Sequence, residues 1–183
     1  MPISTDTQSS RFYLNFVERL EVMQNKVTQA DSFHRALYYT HTVTLAEKYL
    51  YDVFLDGINA DRTVLVRLAG HKTFKNKTFK AHELLHKDIE SLMIHVMKGQ
   101  LWHRINIVEG HFRTAFGIRF NMSNSLLEII DRRHHLVHRD GYDLQDNRLL
   151  IGQEQLLDAI EVTGEFIKDI DKKYQTWRAE QSQ

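Results

Sequence analysis

Residues 125–141 read SLLEIIDRRHHLVHRDG, and this stretch decides the fold. Leu126, Leu127, Ile129 and Ile130 recur at the spacing of a helix with one apolar face. Ser125 and Glu128 form the S-x-x-E pattern that predicts an N-terminal capping box. Asp140-Gly141 predicts the end, because glycine takes the left-handed backbone of a C-terminal cap without steric cost. Between these signals lies a decamer, Arg132 to Gly141, with three arginines and three histidines within eight positions.

The same periodicity recurs outward from this helix. The chain has one proline, Pro2, so nothing downstream breaks a helix by ring closure. Phe12, Phe16, Leu20, Met23 and Val27 predict a first helix over about 10–28. A second starts near the caps Asp31 and Ser32, buries Val43, Ala46, Leu50, Val53 and Phe54, and stops before Gly57. A long helix over about 81–99 and a last one over about 153–178 follow. The last buries Leu156, Ile160, Ile167, Ile170, Tyr174 and Trp177 on one stripe. Residues 57–80 and 100–120 carry no clear period; within the first, KTFKNKTFK reads as an exposed loop or helix start. Residues 142–151 read as a turn or short hairpin. The expected architecture is an all-α bundle of about five to six helices, with room for one short β-hairpin near 142–151. Residues 1–10 are expected to be a flexible segment and 11–183 a single domain.

Twenty-four Lys and Arg balance 24 Asp and Glu across 183 residues. Zero formal charge argues against a broad basic surface of the kind that holds nucleic acid or membranes non-specifically, so any polyanion contact has to be local. The absence of cysteine removes disulfides, thiolate zinc sites and thiol nucleophiles, and fits a cytoplasmic location. No apolar run is long enough to span a membrane.

The chemistry concentrates in the decamer. Arginine stays charged, while histidine as a residue type titrates near neutrality, so together they suit charge stabilisation and proton transfer at a phosphate. Cations at a helix C-terminus are also favoured by the macrodipole, which explains several of these residues but not six in eight positions. His134 and His138, four apart, form a helix-compatible metal pair; zinc would need a third ligand, and the neighbouring arginines would repel it. Arg133 and His138, five apart, advance about 7.5 Å and turn about 140°. They do not stack, but both can reach a groove beside the helix end.

Arg133-His134 and His138, followed by Arg139-Asp140-Gly141, resemble the R-x(4–6)-H motif of HEPN domains (higher eukaryotes and prokaryotes nucleotide-binding). The stand-alone prokaryotic branch similar to ribonuclease LS-type defence modules lies nearest. The resemblance covers about 125–145. It implies a cofactor-free, metal-independent endoribonuclease that acts as a homodimer with the motif at the interface. In that reading His138 moves the 2′-OH proton and Arg133 stabilises charge at phosphorus, giving a 2′,3′-cyclic phosphate. His134 orients the site, Arg132 and Arg139 hold substrate phosphates or face water, and Glu47 is an acidic partner for Arg133 or simply a solvated helix charge. A toxin or antiviral role, with an antitoxin or defence-system partner, follows from the same resemblance. So does an alternative: a non-catalytic HEPN module that binds RNA, nucleotide or a partner protein.

A competing motif, His82-Glu83-Leu84-Leu85-His86, matches the H-E-x-x-H of zinc peptidases. Its flanks Lys80, Lys87 and Asp88 are charged, and Ile89 and Leu92 stand where the extended pattern needs Gly and His. An amphipathic helix is the plainer reading. The remaining histidines (His34, His41, His71, His95, His103, His111) carry no spacing argument. Phe12, Tyr38, Tyr39, Tyr49 and Tyr51 read as core or dimer interface, and Tyr142 as structural or as a base-stacking ring.

Overall fold

The computed structural model describes residues 9–181. Among them the fold is all-α: α1 Arg11–Gln24, α2 Ser32–Ala60, α3 Thr63–Ala69, α4 Lys72–Lys75, α5 Ala81–His86, α6 Ile89–Lys98, α7 Ile105–Phe116, α8 Asn124–His138 and α9 Gln153–Glu180, with a short 3-10 turn at Val27–Gln29. The two longest helices, α2 and α9, pack against each other at the centre; α1 and α8 flank them, and α3 lies on α7. The stripe expected on α9, Leu156 to Trp177, is buried, as are Phe16, Leu20 and Met23 of α1.

Three boundaries differ from the sequence reading, each for a physical reason. α2 continues through Gly57, because a side chain there would meet the Phe116 ring at 2.5 Å; the glycine admits that ring rather than ending the helix. The expected long helix over 81–99 breaks at Lys87. Asp88 takes extended backbone, and its side chain accepts the Ser91 N–H at 2.7 Å to start α6. The cap of α8 is Ser123, not the expected Ser125–Glu128 box. Ser123 Oγ accepts the Leu126 N–H at 3.1 Å, a start that turns Leu126 and Ile129 into the core. The helix count also exceeds five to six, since 57–80 and 100–120 hold the short helices α3, α4 and α7.

Of the expected flexible segment 1–10, residues 1–8 lie outside the described residues. Ser10 is buried, and its hydroxyl and backbone N–H both donate to Asp171 on α9. The Tyr49 hydroxyl donates to the same carboxylate at 2.8 Å. Burial, then the Asp171 charge, hold the Tyr49 phenol well above its ordinary range, so it remains a donor. Asp171 thus ties the chain before α1, α2 and α9 together. In place of a hairpin, 142–151 forms a tight turn with a single antiparallel bridge, Tyr142 to Arg148.

Candidate functional site

The decamer occupies the last two turns of α8 and the loop beyond. The helix closes as the loop predicts: Asp140 and Gly141 both take positive φ (53° and 82°), and the N–H groups of Arg139 and Gly141 donate to the His135 carbonyl at 3.0 and 3.2 Å. This fixes the chain direction immediately after His138.

The helix sorts the basic residues by face. Arg133 points inward to α2, where its Nη2 lies 3.4 Å from Glu47 Oε1, with 14% and 21% of the two side chains exposed. His103, in the α6–α7 connection, brings its Nδ1 to 3.5 Å from the same oxygen. Trp102 anchors that connection by packing its ring on Tyr51 and Phe54, at 5.7 and 5.5 Å between centroids. Glu47 therefore sits between a guanidinium and an imidazole, rather than facing water as an ordinary helix charge. Its Oε1, like Arg133 Nε and Thr163 Oγ1, is buried without a hydrogen bond. Glu47, His103, Thr163 and Leu126 line one small cavity there. Unsatisfied polar atoms are rare in packed interiors, and three of them fall in this cluster.

His134 and His138 are exposed on the opposite face, with rings 4.8 Å apart between centroids and inclined at 49°. His135 is buried, its Nε2 3.4 Å from Asp131 Oδ2, and acts in the helix closure. Arg132 lies near Tyr39. Burial pushes that phenol up to about 12, and the charge of Arg132 pulls it the other way. Arg139 is exposed at the cap. Arg133 and His138 are not joined: no hydrogen bond, ion pair or ring contact links them among the described residues. Beside the helix end, an open groove is lined by Phe33, Leu37, Val137 and Leu150, with Phe33 and Leu150 about two-thirds exposed (67% and 65%).

Sequence reasoning missed His103, which lies 56 positions from Glu47 and 30 from Arg133; no spacing rule links it to them. The His82–His86 motif forms the six-residue α5. There Glu83 accepts the Lys80 N–H at 2.8 Å and serves as the helix's own N-terminal cap. His82 and His86 are exposed, and no three His, Asp or Glu gather as metal ligands among the described residues. Tyr142 is 41% exposed. No helix among the described residues is long and apolar enough to cross a membrane. No family model, curated protein or solved structure matches this chain.

Proposed function

We propose that the protein is a metal-independent endoribonuclease whose site is the end of α8, with His138 as proton-transfer group and Arg133 as the charged partner held by Glu47. The observation that carries this reading is the placement of Arg133 and His138 in one all-α helix end. His138 is exposed on the last turn of α8, next to the groove residue Val137, and Arg133 is held by the largely buried Glu47. An imidazole there takes the proton from a ribose 2′-OH as that oxygen bonds to phosphorus. The P–O5′ bond breaks, the departing 5′-oxygen takes a proton, and a 2′,3′-cyclic phosphate remains. Exposed Arg139 and half-buried Arg132, on the same helix end, would serve as phosphate contacts.

The exposed apolar residues of the groove, Phe33, Val137 and Leu150, favour pairing with a second copy of the chain, which would bring two helix ends together. We place this activity in the cytoplasm, where an inhibitory partner would keep it silent. Purified protein incubated with RNA in EDTA, beside His138→Ala, tests the reading. Cleavage by the first and a loss of 100-fold or more in the second are expected. Absence of cleavage, or equal cleavage by both, overturns it.

One observation favours a second reading, a non-catalytic module that binds RNA, nucleotide or a protein partner. Glu47 pairs with Arg133, and no contact links Arg133 to His138 among the described residues. That reading expects saturable binding, weakened by Arg139→Ala, without strand scission.

A further inference from the structure

The charge balance of the chain conceals one uneven tract. From Arg62 to His82 there are six basic residues (Arg62, Arg67, Lys72, Lys75, Lys77, Lys80) and no acidic one. Two of the six are matched by carboxylates from outside the tract: Arg67 to Asp61 at 2.9 Å and Arg62 to Glu90 at 3.4 Å. The four lysines are not. They belong to a tandem KTFK-N-KTFK, residues 72–80, that forms α4 and the irregular backbone up to α5. Phe74 is buried and Phe79 half-buried against the core, so each aromatic ring pins its unit down while Lys72, Lys75, Lys77 and Lys80 stay exposed. None of these ammonium groups makes an ion pair or hydrogen bond among the described residues. The adjacent acids are engaged elsewhere: Glu83 caps α5 and Asp88 caps α6.

A further cation stands close to the tract, Arg113 of α7, beside His71. His71, at the head of the tract, is held below its ordinary range by burial, then by Lys72 and by Arg113 of α7. His111 lies beneath it, with the rings 4.8 Å apart, and Arg113 is only loosely matched by Glu109 at 4.0 Å.

We propose that the Lys72–Lys80 tract is a second polyanion surface, which grips the sugar-phosphate backbone of single-stranded RNA outside the decamer. This rests on the ribonuclease reading for the identity of the polyanion. Lysine ammonium groups contact phosphate as point charges without geometric selection. With both phenylalanines turned inward, the tract offers no ring for base stacking, so the contact is independent of sequence. It answers how a protein of zero net charge holds a long RNA: four unmatched cations stand on one short segment.

The test uses a fluorescent 20-nucleotide oligouridylate bound to the full chain carrying His138→Ala, over a series of KCl concentrations. It is compared with the same chain carrying Lys72→Gln, Lys75→Gln, Lys77→Gln and Lys80→Gln. Loss of four phosphate contacts on a single strand is expected to reduce the salt slope of log K by about 3 and the affinity at low salt by tenfold or more. In the His138→Ala chain, ring-proton titration of His71 is expected to move upward when the oligonucleotide is added. An unchanged slope and affinity, an unmoved His71, or binding to phosphatidylserine vesicles in place of RNA overturns the inference. Cleavage of the dinucleotide UpA by the unsubstituted protein reports on the decamer alone. A protein that binds oligouridylate through the lysines but never cuts UpA therefore overturns the ribonuclease reading and leaves this surface standing.

Discussion

Asp171 on α9 and Glu47 on α2 are two largely buried carboxylates held in opposite ways. Asp171 accepts two donations from Ser10 and one from Tyr49. Glu47 faces the Arg133 guanidinium at 3.4 Å and the His103 imidazole at 3.5 Å, and its inner oxygen makes no hydrogen bond. A carboxylate satisfied by several donors contributes to folding, because each donor would otherwise be stranded in the interior. An ion pair at longer range recovers less of its desolvation penalty and is weak evidence for stability. Asp171 therefore reads as a structural tie, and Glu47 as a group that orients a charge.

The contrast breaks most readily at Asp171. Asp171→Ala is expected to destabilise the protein by about 3 kcal/mol or more, since it strands the buried Ser10 and Tyr49 donors. A urea midpoint close to the unsubstituted protein's would remove its structural role.

A second expectation concerns a buried group outside both carboxylate sites. His111 is fully buried, its Nε2 2.8 Å from Thr73 Oγ1, and burial, then the charges of His71 and Lys72, lower its pKa to about 4. The folded state therefore resists protonating His111, while the unfolded chain takes up that proton near pH 6.5. Stability is fully present above about pH 6.5 and falls as pH drops toward 4, by about 2–3 kcal/mol at pH 4.5. Urea unfolding at pH 7 and 4.5 measures this, and His111→Gln should flatten the difference. An equal pH dependence in that variant would assign the loss to other groups.

Glu47 tests the other side of the comparison. Glu47→Gln is expected to cost about 1–2 kcal/mol, less than Asp171→Ala, yet to lower RNA cleavage tenfold or more. A double-mutant cycle with Arg133→Gln should give a coupling of about 1 kcal/mol. Zero coupling, or a stability loss that matches Asp171→Ala, would make Glu47 another structural tie. At the small end, His103→Ala is expected to shift stability by less than about 1 kcal/mol, because its 3.5 Å contact with Glu47 is too long for a good hydrogen bond. A larger loss would show that His103 supports the fold rather than the charge of Glu47.

How much of this the sequence discloses depends on distance along the chain. The decamer is legible because six basic or titratable residues fall in eight consecutive positions, and Asp140-Gly141 announces the stop. The central helices α2 and α9 are legible because their buried stripes, Tyr39 to Ile58 and Leu156 to Trp177, each run for about five to six turns. The cap of α8 misleads, because Ser123 and Ser125 both precede the apolar run, and only the burial of Leu126 and Ile129 chooses between them. Gly57 misleads because a glycine that admits a ring looks the same as one that ends a helix. His103 leaves no trace, since its role depends on Trp102 anchoring a loop against α2. The lysine tract is visible in the letters, but its unmatched state emerges only when Glu83 and Asp88 are seen capping helices.

The central claim is that the end of α8 cleaves RNA by attack of the neighbouring 2′-oxygen. The direct measurement is cleavage, in EDTA, of an RNA oligonucleotide and of the same oligonucleotide with 2′-deoxy sugars at the positions cut. The account predicts that the RNA is cut to 2′,3′-cyclic phosphate ends and the deoxy-substituted strand is left whole at those positions. An intact RNA, or cutting of the deoxy-substituted strand at the same positions, would contradict it.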